Sequence, residues 1–193
     1  MPCEVINTNQ YISLMKKLLS LSLIIIIGVL FAACGSQHKR AVENITKLEN
    51  EISAKAGKPD TARVDELTNA YRDFAVRHTT DSLTPVYLLR AGGLFMNVGN
   101  ALKAVESLEQ VTEKYGSSAQ APQALFLEGF IFENMLGNLS KARELYNQFL
   151  IRYPQNDLAD DARSSLNNLG KTPEQLVHEF ESAAADSLKK IKK

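Results

Sequence analysis

Ala70-Tyr71-Arg72-Asp73-Phe74-Ala75-Val76-Arg77-His78 returns downstream as Leu145-Tyr146-Asn147-Gln148-Phe149-Leu150-Ile151-Arg152-Tyr153. Between the two lies Ser107-Leu108-Glu109-Gln110-Val111-Thr112-Glu113-Lys114-Tyr115. The large residues keep step: Tyr71, Leu108 and Tyr146; then Phe74, Val111 and Phe149; then His78, Tyr115 and Tyr153. Within each segment these positions recur at three- and four-residue spacing, which places them on one face of a helix turned toward a core. A period of 37 to 38 residues is that of a solenoid, in which each unit covers its neighbour's apolar side.

Working outward, a partner helix precedes two of these segments. Leu88, Ala91, Gly92 and Phe95 are followed by Gly99-Asn100 and Ala104, and Leu125, Gly129 and Phe132 by Gly137-Asn138 and Ala142. Gly92 and Gly129 leave room for a close helix crossing. Gly99 and Gly137 tolerate the left-handed backbone that ends a helix, and Pro154 cannot continue one. Helices are predicted near 38–56, 61–78, 85–97, 100–115, 119–135, 138–153, 157–168 and 173–190, the first two separated by Gly57-Lys58-Pro59-Asp60. The first carries Val42, Ile45, Leu48 and Ile52 but no small contact residue. Thr172-Pro173-Glu174-Gln175 opens the last with a capping box and a proline in its first turn. Its apolar residues Leu176, Val177, Phe180, Ala184, Leu188 and Ile191 are expected to close the end of the stack.

These motifs resemble the tetratricopeptide (TPR) family, with Thr79 and Gly116 departing from its terminal proline and one extra residue between Phe132 and Gly137. The resemblance implies an all-α fold: a TPR-type solenoid of antiparallel helix pairs, about three and a half repeats, with a C-terminal capping helix. It also implies a groove lined by Val86, Leu89, Gly93, Met96, Gln123, Phe126, Phe130 and Glu133. Of these, Leu89, Met96, Phe126, Phe130 and Glu133 are the candidate partner-binding residues. Two readings are open: the apolar lining receives an aromatic or aliphatic peptide segment, or a terminal helix folds across and buries it. Asn97 and Asn134 could bond a peptide backbone, or serve the helix ends they adjoin.

Upstream, Met15-Lys16-Lys17 leads into an uncharged apolar run from Leu18 to Ala33, closing on Leu30-Phe31-Ala32-Ala33-Cys34-Gly35. A positive start, a short apolar stretch and a small-residue end describe an export signal, and the run is short for a membrane span. The stretch resembles a bacterial lipobox, which implies cleavage before Cys34 and lipid on its thiol; the other reading is an uncut anchor. Residues 1–14 contain Glu4 and no basic residue, so Met15 is the expected start. The expected division is 1–14 extension, 15–33 signal peptide, 34–37 lipidated tether and 38–193 helical domain. Gly35, Ser36 and Gln37 span roughly 10 Å at full extension, which would hold the domain close to the headgroups.

Removal of residues 1–33 leaves one cysteine, which excludes a disulfide framework within the chain. With 22 basic and 22 acidic residues in all, the chain lacks the basic field of a nucleic-acid binder. No His-Glu-x-x-His, Cys-x-x-Cys, nucleophile elbow or phosphate loop occurs, so no enzyme activity, cofactor, metal or small-molecule substrate is expected. His38, His78 and His178 share no motif, and Asp160-Asp161 suit a helix N-terminus. Lipobox and repeats together resemble the BamD-like (YfiO) family of outer-membrane-assembly lipoproteins and, more loosely, CpoB-like periplasmic TPR proteins. This implies a lipid-anchored scaffold for an envelope protein or peptide. Gly35-Ser36 after the cysteine favours the outer membrane, facing the periplasm. The rival reading is an accessory factor or enzyme of cell-wall metabolism.

Overall fold

The computed structural model describes residues 15–18, 37–54, 61–179 and 181–182, and no strand occurs among them. The chain divides into two compact units, Met1–Ala56 and Gly57–Lys193. In the first unit, helix α1 covers 37–53; Ile45 and Leu48 are buried and Val42 and Ile52 half-buried, the apolar face read from the sequence. Cys34 and the apolar run before it lie outside the described residues.

The second unit contains α2 (Thr61–Arg77), α3 (Leu83–Asn97), α4 (Ala101–Lys114), α5 (Ala121–Asn134), α6 (Leu139–Arg152) and α7 (Ala159–Asn168), followed by α8 (173–179). From α2 to α7 each helix packs on the next, as a solenoid of helix pairs requires. The expected TPR-type all-α stack is the observed one. Three helices begin two residues from where the sequence reading placed them, and local bonds account for two of these. The Asp81 and Asn156 carboxyl and amide oxygens accept from the backbone N–H groups of Leu83 (2.8 Å) and Leu158 (3.0 Å), so Asx turns set these helix starts.

The period appears in the backbone itself. After α2, α4 and α6 the same pair of turn bonds recurs: Asp81 N–H to His78 C=O and Thr84 N–H to Asp81 C=O; Ser118 to Tyr115 and Ala121 to Ser118; Asn156 to Tyr153 and Ala159 to Asn156. The Tyr115 hydroxyl then donates to the Thr79 carbonyl (3.0 Å), and the Tyr153 hydroxyl to the Gly116 carbonyl (3.2 Å). Each aromatic at the end of a pair's second helix thus reaches back to the residue that follows its counterpart one repeat earlier.

Helix ends follow the expected chemistry. Gly99 and Gly137 hold φ of 78° and 64°. Asn100 and Asn138, next in sequence, accept from the N–H groups of Lys103 (3.2 Å) and Lys141 (3.0 Å) and cap α4 and α6. The extra residue of the third unit is absorbed where α5 ends: Leu136 N–H reaches back five residues to Ile131 C=O and Asn138 N–H six to Phe132, whereas Asn100 bonds Phe95 five back. The reciprocal bonds of the capping box at α8 are present, Thr172 N–H to Gln175 Oε1 (2.9 Å) and Gln175 N–H to Thr172 Oγ1 (3.3 Å). Leu176 is half-buried and Val177 exposed; the rest of the predicted capping face, from Phe180 on, lies outside the described residues.

The core is aromatic at both ends of the stack. Tyr87 of α3 stacks on Tyr71 (5.2 Å between ring centres) and meets Phe74 edge-on (4.8 Å). At the other end Leu125, Tyr146, Phe149, Ala162 and Leu169 are buried together. What lies close to Gly92 and Gly129 is a side chain rather than a backbone. A Cβ on Gly92 would stand 2.6 Å from Leu108, and one on Gly129 2.7 Å from the Tyr146 ring.

Candidate functional site

The groove positions fall on α3 and α5, and their burial separates them. On α3, Val86, Leu89, Gly93 and Met96 are all half-buried. On α5, Gln123 is exposed, Phe126 and Glu133 are half-buried, and Phe130 keeps 40% of its surface open. Phe126 is committed to the core on one side, its ring 5.7 Å from that of Tyr146 and 6.0 Å from that of Phe149. Glu133 accepts from the Tyr146 hydroxyl at 2.7 Å. That bond and burial, burial foremost, hold the Tyr146 phenol well above its ordinary range, so it stays protonated and donates. The α5 line therefore consists of two residues fixed from below, Phe126 and Glu133, with Phe130 free between them at helical spacing. Such an arrangement can offer a ring to an apolar side chain with little ordering loss on its own side.

Asn134 does not reach outward: its Nδ2 donates to the Phe130 carbonyl at 3.0 Å, a helix-end role, while Asn97 is exposed. The histidines are scattered. His78 packs its ring 4.6 Å from Phe74, and among the described residues no group of three or more His, Cys, Asp or Glu could hold a metal ion. Nor is any described helix long and apolar enough to cross a membrane.

The sequence reading missed Glu128. Only 3% of it is exposed, and its Oε1 lies 2.9 Å from the Thr112 hydroxyl of α4. Burial is the main cause that pushes its carboxyl from 4.5 up to about 7, helped by Glu109 and Glu113 and opposed by Thr112 and Lys141. The signal was available in the repeat itself: aligning Gly92 with Gly129 sets Glu128 against Ala91, a charged residue in a core position. The carbonyl-seeking tyrosines were also missed, because a main-chain acceptor leaves no mark in the sequence.

Residues 123–156 match the family model described as Tetratricopeptide repeat, a stretch that takes in α5 from its third residue, α6 and the turn after them. No curated protein matches the chain. The stack in which this matched stretch sits is a TPR-like all-α solenoid.

Proposed function

We propose that this chain is a non-enzymatic scaffold, anchored by lipid on Cys34 at a bacterial envelope membrane, whose α5 face docks a segment of a partner protein. TPR stacks bind protein and peptide partners, which supports the docking half of this reading. The observation that carries it is Phe130: a large apolar ring left 40% open between the anchored Phe126 and Glu133. Leu89 and Met96 on α3 extend the apolar lining, and the preferred segment carries an aromatic or aliphatic side chain, with Glu133 at the edge favouring a nearby cation. The lipobox before Cys34 supports attachment, Gly35-Ser36 supports the outer membrane, and assembly of outer-membrane proteins is the process that the combination best fits.

Phe130→Asp tests the docking face. Photo-crosslinking from position 123, exposed on the same helix, in intact membranes should yield a discrete protein adduct that Phe130→Asp loses at least tenfold, while its melting temperature stays within a few degrees of the parent. Undiminished capture by the charged variant, at full stability, would remove α5 from the reading.

A further inference from the structure

Thr112 has one hydroxyl proton and two oxygens in reach: Glu128 Oε1 at 2.9 Å and the Glu109 carbonyl at 3.2 Å. An ionised Glu128 can only accept, so it would claim that proton and leave the Glu109 carbonyl without it. A protonated Glu128 donates its own O–H to the Thr112 oxygen, and Thr112 then donates to Glu109, so both contacts are satisfied at once. The surroundings favour the same state. The charged groups that face Glu128 are Glu109 and Glu113 on α4 and Lys141 on α6, and Lys141 is already paired with Glu144 at 2.9 Å.

The contact joins different repeats, since α4 ends one helix pair and α5 begins the next. We propose that Glu128 makes the α4–α5 joint a proton-operated hinge: the neutral acid seals it, and loss of the proton loosens one repeat from the next. Glu128 lies two residues from Phe130, so the hinge acts on the same helix that carries the exposed ring; the proposal nonetheless stands whether or not α5 docks a partner.

The direction follows from linkage. The carboxyl is raised in the closed joint to about 7 from 4.5. The closed state therefore binds the extra proton, and its advantage is complete at acid pH, declines as pH rises toward 7, and changes no further above that. Hydrogen exchange on the full-length chain in detergent reads this directly at the α4 and α5 amides between pH 4.5 and 8.5. The opening equilibrium should rise by up to about tenfold per pH unit between pH 5 and 7 and then level off. Glu128→Gln, and Glu128→Ala with the side chain that Ala91 supplies one repeat earlier, should abolish that rise. A parent protein with no rise, or a rise of the same steepness in a folded variant, overturns the proposal.

Discussion

A methyl group added at Gly129 would strike the Tyr146 ring at 2.7 Å, and that ring cannot swing aside, because Glu133 and Ser165 both bond its hydroxyl. Alanine is the better helix former by ~1 kcal/mol, yet overpacking a filled core commonly loses ~1–3 kcal/mol. We expect Gly129→Ala to be destabilising by about 1–3 kcal/mol in urea titration, and more so than Gly92→Ala, where the obstacle is the more pliable Leu108. Both glycines were legible as close-contact sites from their place in the repeat. Glu128 was not, because apolar periodicity is read from the residues that obey it, and one buried acid among Leu125, Gly129 and Ile131 leaves the pattern standing.

At the level of single helices, order and type were readable because caps and breakers are local: Asn100 and Asn138 follow Gly99 and Gly137, and Thr172 and Gln175 form their box within one turn. The shifted starts of α3 and α7 come from Asp81 and Asn156, whose side chains take a backbone N–H two residues on. Composition alone does not say which of several polar residues in a loop does so. The joints between helices are where a hydroxyl counts most. Tyr153→Phe keeps the ring against Phe149 but removes the bond to the Gly116 carbonyl, so it should lower unfolding stability by ~0.5–1.5 kcal/mol. The urea midpoint should move with little change in slope; no shift at all would show that water serves the carbonyl equally well.

Over the whole chain, the period gave the architecture because the same apolar face had to be rebuilt every 37 to 38 residues. The state of the docking face was beyond reach of that reasoning, since it depends on how far Phe126 sinks between Tyr146 and Phe149 while Phe130 does not. The proposed membrane attachment is a separate matter of chemistry at one thiol. On the proposed anchoring, metabolic labelling with a fatty acid should mark the parent protein, and Cys34→Ser should lose the label; a labelled serine variant would refute lipidation at that position.

The Tyr115 and Tyr153 hydroxyls form a ladder along the stack. Its rungs end on main-chain oxygens, which every amino acid supplies, so the bonds themselves do not dictate the side chains at 79 and 116, and what limits position 116 is space, since a Cβ there would stand 2.9 Å from the Arg152 guanidinium and 3.0 Å from the Thr112 carbonyl. Fidelity of pitch is thereby separated from fidelity of spelling, and a tower of this kind can diverge storey by storey without falling out of true.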